Sequence, residues 1–138
     1  MADTGGLLRA LARRPDGRAT WPAYATVLRE AAAVVVPALV LAEVDYFLRA
    51  QRAAMRRLIA ELFDPATTYE LEPVLPRDLV RALEIDARFH ELEIGLVDGT
   101  VAAVAERRRI FRVLTTDRRD FGALRVGERY DRALALLP

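Results

Sequence analysis

Four acidic residues are placed where side chains of an alternating α/β chain would converge: Asp3, Glu43, Asp98 and Asp117. We call them the acidic quartet. Carboxylates held close together repel one another, and their pKa values rise unless a cation neutralises them. A bound divalent ion provides that neutralisation and lowers the pKa of a coordinated water towards the value that a nucleophile needs. The quartet therefore predicts one metal site with carboxylate ligands.

The three aspartates also have a structural interpretation. Aspartate is a preferred helix N-cap, because its carboxylate accepts hydrogen bonds from free backbone N–H groups. Asp3, Asp98 and Asp117 each precede a predicted helical segment, so each taken singly is better explained as a cap. Glu43 does not fit this explanation, because it lies inside the apolar stretch Val-Val-Val-Pro-Ala-Leu-Val-Leu-Ala-Glu-Val, where an unpaired carboxylate is costly.

The residue types that are missing from the chain exclude several kinds of catalytic site. The 138 residues include no Ser, Cys, Lys or Asn and a single His, His90. A Ser or Cys nucleophile, a P-loop lysine, a Schiff-base lysine and a zinc site built from several histidines are therefore excluded. Oxygen ligands without His or Cys partners favour a hard cation, and we expect Mg²⁺ or Mn²⁺.

Length and charge place the chain in a broad class. The length suits one domain spanning residues 1–138, and the net charge of +1 does not by itself indicate nucleic-acid binding. The longest apolar run, 31–42, is interrupted by Pro37, so we expect no membrane-spanning segment. The N-terminus lacks a basic segment followed by an apolar one, which makes a cytoplasmic location the expectation.

Apolar periodicity and turn residues predict helices and strands that alternate along the chain. The predicted helices are 6–13, 21–32, 37 to about 49, 52–63, 76 to about 92, 97 or 98 to 108, and a short helix or turn at 117–124. The predicted strands are 33–36, 69–74, 110–115 and, at an edge, 133–137, with a minimal first strand ending at Asp3. In the helix at 76 to about 92, the apolar residues Leu79, Leu83 and Ala87 are predicted to lie on one face. This alternation predicts a parallel sheet with ligands bound beyond the carboxyl ends of its strands, where the acidic quartet would lie.

Four short motifs in this order resemble the PIN domain. They are Asp-Thr-Gly at Asp3, Leu-Ala-Glu-Val at Glu43, Leu-Val-Asp-Gly at Asp98 and Thr-Thr-Asp-Arg-Arg-Asp-Phe at Asp117. The resemblance is closest to VapC-type toxins of toxin–antitoxin pairs and extends from Ala2 to about Arg125. Each motif is weak alone, but the four together at these intervals are fairly specific.

The resemblance implies a fold, an activity and a site. The fold is a three-layer α/β/α sandwich with a central parallel sheet of about five strands. The activity is endonucleolytic cleavage of RNA by water that Mg²⁺ or Mn²⁺ activates, with the acidic quartet as metal ligands and catalytic residues. Around the quartet, Thr116 would help to position the metal or its water, Asp120 would be an outer carboxylate, and Arg118 and Arg119, which adjoin Asp117, would contact RNA.

The resemblance also implies partners: an RNA substrate, a second copy of the chain in a homodimer, and a cognate VapB-type antitoxin in a type II pair. We expect the antitoxin to lie along an apolar helix surface around Leu7, Leu11, Trp21 and Tyr24 and to place one cation among the carboxylates. The alternative function is a non-catalytic PIN scaffold that binds RNA or protein, which the presence of all four acids argues against. A receiver or haloacid-dehalogenase-like phosphatase is a third possibility, but both rely on a lysine that this chain lacks.

Overall fold

The computed structural model describes residues 1–138 as seven α-helices, one short 3₁₀ helix and six short strands. The helices are α1 (Thr4–Leu11), α2 (Pro22–Glu30), α3 (Ala38–Phe47), α4 (Arg52–Phe63), α5 (Pro76–Arg88), α6 (Leu96–Arg108) and α7 (Asp120–Ala123), and the 3₁₀ helix is His90–Leu92. The strands are β1 (Val34–Pro37), β2 (Tyr69–Glu72), β3 (Arg112–Leu114), β4 (Arg125–Val126), β5 (Arg132–Ala133) and β6 (Ala135–Leu137).

The first three residues join two pairs of parallel strands into one sheet. β1 pairs with β2, and β3 pairs with β6, both in parallel. Between these pairs, the Ala2 N–H donates to the Val35 carbonyl at 2.9 Å, and the Asp3 N–H donates to the Leu114 carbonyl at 3.0 Å. The order is therefore β2, β1, Met1–Asp3, β3, β6. This agrees with the predicted sheet of about five strands and with the predicted minimal first strand.

Strand β1 shows that helices cover both faces of the sheet. Its four residues are all buried, although successive side chains point to opposite faces of a strand. The run Val34–Val36 suits this position, because β-branched side chains pack well on a pleated surface. The predicted α/β class with layers on both sides is confirmed.

Helix α1 passes so close to β3 that only glycine fits at one position. A Cβ atom on Gly6 would overlap the carbonyl oxygen of Leu114. The segment Thr-Gly-Gly therefore lets the helix begin directly against the carboxyl end of the sheet. This close approach fixes Asp3, which precedes the helix, beside the residues that follow β3.

The face of α5 that was predicted to be apolar is not the face that the helix buries. Leu79 and Leu83 are exposed, at 36% and 61%, and Ala87 is exposed as well. The buried residues of this helix are Asp78, Ala82 and Ile85. Ala82 faces Gly99 of α6, where an added Cβ would lie 3.1 Å from the alanine methyl group. Two small residues bring the helices together, and this close approach determines which side of α5 is buried.

The C-terminal region also differs from the predicted single edge strand at 133–137. Arg132–Ala133 pairs antiparallel with β4, whereas Ala135–Leu137 forms the edge strand beside β3. None of the helices is both long and apolar enough to cross a membrane.

Candidate active site

The acidic quartet comes from four separate segments at the carboxyl end of the sheet. Asp3 ends the central segment of the sheet, Met1–Asp3, and caps α1, whereas Glu43 lies in the second turn of α3, which begins directly after β1. Asp98 lies in the first turn of α6, and Asp117 follows β3 by three residues. These placements are the ones expected for residues beyond the carboxyl ends of parallel strands.

Asp3 is the most rigidly held member of the acidic quartet. Its side chain is buried at 4% exposure. The Thr4 N–H donates to its Oδ1 at 2.6 Å, and the Thr115 hydroxyl donates to its Oδ2 at 2.8 Å. Asp3 is therefore a helix cap, as the structural interpretation predicted. Capping and metal binding do not exclude each other, because a carboxylate oxygen has more than one lone pair.

Asp117 is positioned by two hydrogen bonds in the loop after β3. Its N–H donates to Thr115 Oγ1 at 2.9 Å, and its Oδ1 accepts from the Asp120 N–H at 2.9 Å. The Asp120 carboxylate is paired with Arg119 at 2.7 Å. The loop thus presents Asp117 and Asp120 together, with one adjoining guanidinium.

Electrostatic coupling at Asp98 places the quartet around one region. The pKa of Asp98 is raised to about 7, first by burial and then by the charges of Asp3, Glu43, Asp117 and Asp120 in that order. Burial also raises the pKa of Asp3, and the charge of Glu43 adds to this effect. The charges of the other carboxylates therefore increase the cost of ionising Asp98, and the charge of Glu43 increases the cost of ionising Asp3.

The side chains do not converge on a single point in this conformation. No three of the chain's His, Asp or Glu side chains are arranged so that they could hold one metal ion. The donor set nevertheless fits a hard divalent cation, because it consists of carboxylate oxygens with one threonine hydroxyl beside them. Glu43, Asp98 and Asp117 are only partly buried, whereas Asp3 is buried.

Thr115 is a site residue that the sequence analysis missed. Its hydroxyl connects Asp3 to the Asp117 backbone, and the Tyr24 hydroxyl of α2 donates to its carbonyl at 3.2 Å. The signal available in the sequence was a threonine two residues before Asp117, since a hydroxyl in that position commonly accepts from the backbone of a turn. Thr116, the threonine predicted to assist, lies against Gly5.

The remaining predicted residues lie at the edge of this region. Arg118 is exposed and donates to the Pro138 carbonyl at 2.6 Å, and Arg119 is exposed apart from its pairing with Asp120. The predicted antitoxin surface needs one correction: Leu7 is fully buried in the core and cannot contact a partner. The helical pattern of α1 did not reveal that this side faces the sheet.

The comparison with protein families decides how the chain is classified. Residues 1–126 match the family described as the PIN domain. The chain belongs to the PIN-domain family. That match includes all four members of the acidic quartet. It also includes the parallel strands β1, β2 and β3 but not β6.

Individual relatives agree with this classification. Over 94 residues, the PIN-domain chain is 34% identical to ribonuclease VapC26 of Mycobacterium tuberculosis, an alignment that covers 67% of this chain and 69% of that protein. The crystal structure of VapC20 from the same organism, a sarcin–ricin loop cleaving toxin, matches 88% of this chain with a TM-score of 0.69. The match covers 92% of the VapC20 chain at 20% identity, so it supports the fold alone. The predicted VapC-type assignment is confirmed.

Proposed function

We propose that this PIN-domain protein is an endoribonuclease that depends on Mg²⁺ or Mn²⁺ and acts as the toxin of a type II toxin–antitoxin pair, with residues 1–138 forming one domain. The observation that carries the proposal is that the four carboxylates of the acidic quartet come from four different segments and that the charges of the other three raise the pKa of Asp98. A cap needs only its own helix, whereas this arrangement concentrates negative charge in one place. The name of its relative VapC26 supports RNA as the substrate.

The residues of the acidic quartet would hold the metal, and each has a distinct part. When bound, the metal supplies a Lewis acid and lowers the pKa of a coordinated water for attack on a phosphodiester. Asp3 provides a fixed carboxylate, because the Thr4 N–H and the Thr115 hydroxyl hold its two oxygens. Glu43 and Asp98 provide negative charge from two different helices. Thr116 and Asp120 would orient groups at the rim.

Two arginines would orient the RNA strand. Arg118 and Arg119 are exposed next to Asp117, and a guanidinium matches the geometry of a phosphate with two parallel hydrogen bonds. Arg119 would have to exchange its pairing with Asp120 for a phosphate oxygen. Neither arginine is hydrogen-bonded to Asp3 or Asp98. Their proposed role is therefore to hold the substrate near the acidic quartet and not to position the metal ligands.

The proposed homodimer can be assigned to an apolar surface. Four large apolar side chains are exposed on α5 and at the start of α6: Leu79, Val80, Leu83 and Leu96, at 36–61% exposure. Burying these exposed apolar side chains in a contact between two copies of the chain favours self-association. Leu96 lies two residues before Asp98, so a second copy seated here would bring two acidic sites near one groove. The proposed VapB-type antitoxin would use a different apolar surface, one that includes Trp21.

A cleavage assay tests the proposed activity. Purified protein is incubated with a 5′-labelled structured RNA in EDTA and then with added Mg²⁺ or Mn²⁺, and the ends of the products are mapped. We expect cleavage at discrete positions only when the divalent ion is present. The non-catalytic scaffold, which the present spacing of the carboxylates would favour, predicts RNA that stays intact under every condition.

A further inference from the structure

We propose that Tyr46 and Phe47, together with the unpaired arginines that follow them, form a stacking platform for unpaired RNA bases beside the acidic quartet. We call this surface the aromatic platform and define it as Tyr46, Phe47, Arg49, Arg56 and Arg57. The inference deepens the proposed ribonuclease function, on which it rests, because it names the form of RNA that the site takes.

The two rings are exposed although they belong to a predominantly apolar helix. Tyr46 and Phe47 end α3 and are 59% and 57% exposed. Their centroids lie 5.6 Å apart, with the ring planes 82° from each other. Aromatic groups of this size bury a large area when they are covered, so leaving two adjacent rings in water is costly. A ligand that covers both would remove that cost.

The position of the rings relative to Glu43 connects them to the acidic quartet. Glu43 precedes Tyr46 by three residues and Phe47 by four, and residues at these spacings are neighbours on a helix surface. One helical turn, about 5.4 Å, therefore separates the rings from a carboxylate of the site. A base stacked on them belongs to a nucleotide close to the phosphate that the quartet would engage.

The charge of the surrounding surface favours a polyanion. Residues 45–57 contain four arginines and one aspartate, and that aspartate, Asp45, is paired with Arg52. Arg49, Arg56 and Arg57 are exposed and form no ion pair. The Arg49 guanidinium lies over the Tyr46 ring, 4.6 Å from its centroid. Exposed aromatic rings with adjacent guanidinium groups that form no ion pair are typical of surfaces that bind single strands.

A groove next to Phe47 extends the aromatic platform. Phe47 and Arg57 both line a cavity of about 490 Å³ between α1, α3 and α4. The other lining side chains include Leu8, Leu11 and Leu58, so its wall is mostly apolar, with two cations and one anion among the lining residues. A nucleotide has an apolar base face and a negatively charged phosphate. The apolar wall and the arginines of this groove match these two features. Duplex RNA hides its base faces, so the aromatic platform would select unpaired segments.

A binding measurement tests the aromatic platform without relying on cleavage. The Asp98→Asn protein is titrated in Mg²⁺ against a 5′-labelled single-stranded RNA of mixed sequence and against a blunt duplex of the same sequence, with fluorescence anisotropy as the readout. We expect the single strand to bind more tightly than the duplex. Tyr46→Ala with Phe47→Ala should weaken single-strand binding about tenfold or more and leave duplex binding unchanged, because the bases can no longer stack on the rings.

Matched variants separate stacking from general damage. Phe63→Ala removes an exposed phenylalanine (68%) at the far end of α4 and should leave single-strand binding unchanged. Phe47→Trp keeps an aromatic face and should retain it. The double substitution Arg56→Gln, Arg57→Gln should reduce the slope of log Kd against log salt concentration by about 0.7 for each phosphate that the protein no longer neutralises. Arg77→Gln on α5 is the control and should leave this slope unchanged.

Two results would overturn the assignment. Equal binding of single-stranded RNA by the parent protein and the Tyr46→Ala, Phe47→Ala variant would remove the rings from RNA recognition. Loss of antitoxin binding in that variant, with RNA binding intact, would assign the surface to a protein partner instead. Neither result depends on cleavage, so failure of the proposed activity is distinguishable: a wild type that cleaves nothing can still bind through the aromatic platform.

Discussion

Replacing Asp98 with asparagine should abolish RNA cleavage and at the same time stabilise the metal-free protein. In the folded chain, burial and the neighbouring carboxylates of the site raise the pKa of Asp98 to about 7 from an ordinary value of 3.8. Above pH 7 the group is ionised in an unfavourable environment, and the neutral amide removes that cost. Most substitutions destabilise a protein, so an increase in stability is a distinctive outcome.

The magnitude follows from the size of the pKa change. A difference of about three pKa units corresponds to at most about 4 kcal/mol, at about 1.4 kcal/mol per unit. Asp98 is only partly buried, and solvent screening reduces that figure. We expect a gain of about 1–2 kcal/mol in the free energy of unfolding at pH 8, or about 3–8 °C in Tm for a chain of this length.

The dependence on pH has a definite sign. A folded pKa above the unfolded value means that the folded state binds more protons between about pH 4 and pH 7. The contribution of Asp98 to stability is therefore fully present below pH 4 and is lost as the pH rises through 7. In EDTA, the difference between Asp98→Asn and wild type should grow across this interval and then level off.

Thermal melts in EDTA from pH 4 to pH 8, combined with cleavage assays, check this prediction. Asp86→Asn on α5 is the control, because the carboxylate of Asp86 is not among the charges that raise the pKa of Asp98. Mg²⁺ should raise the Tm of wild type and of the control but not that of Asp98→Asn. A variant that is less stable than wild type at pH 8 and still cleaves RNA would refute the electrostatic reasoning.

Three further predictions concern the framework of the site and the assembly. Thr115→Val should lower cleavage at least about tenfold and lower the free energy of unfolding by about 1–3 kcal/mol, because the buried Asp3 carboxylate loses its hydroxyl donor. Cleavage rates and circular dichroism melts measure the two effects. Gly6→Ala should destabilise the fold by about 2 kcal/mol or more, because the added methyl group would overlap the Leu114 carbonyl. Gly122→Ala should have little effect, because the nearest atom to its methyl group would be 3.8 Å away; equal Tm values for the two variants would contradict this. Leu83→Glu should convert the proposed homodimer into a monomer in light scattering, and an unchanged mass would exclude α5 as the interface.

The sequence predicted the element types well because local signals agreed with the tertiary structure. Helix α4 has the predicted bounds, since Asp64 and Pro65 end it and its apolar spacing faces one side. β1 was recognisable as a buried strand from its valines. The rule that ligands bind beyond the carboxyl ends of parallel strands also located the four acids at one end of the sheet.

Other features depended on packing that the sequence does not display. Apolar periodicity placed Leu79 and Leu83 on one face of α5 but did not show which face is buried, which the close approach of Ala82 to Gly99 determines. Asp78 could be buried because Arg107 pairs with it at 2.8 Å, across 29 residues of chain. In the site, Thr115 and Thr116 were equivalent by position, and only the path of the chain after β3 distinguishes them.

Direct measurement of Mn²⁺ binding tests the central claim, that the acidic quartet is a metal site. Mn²⁺ is titrated into metal-free protein at pH 7.5, and the free ion is followed by its electron paramagnetic resonance signal. We predict saturable binding by wild type and Asp86→Asn and binding at least about tenfold weaker for Asp3→Asn, Glu43→Gln, Asp98→Asn and Asp117→Asn, each still folded by circular dichroism. Binding that is absent from wild type, or equally strong in all four variants, would contradict the account.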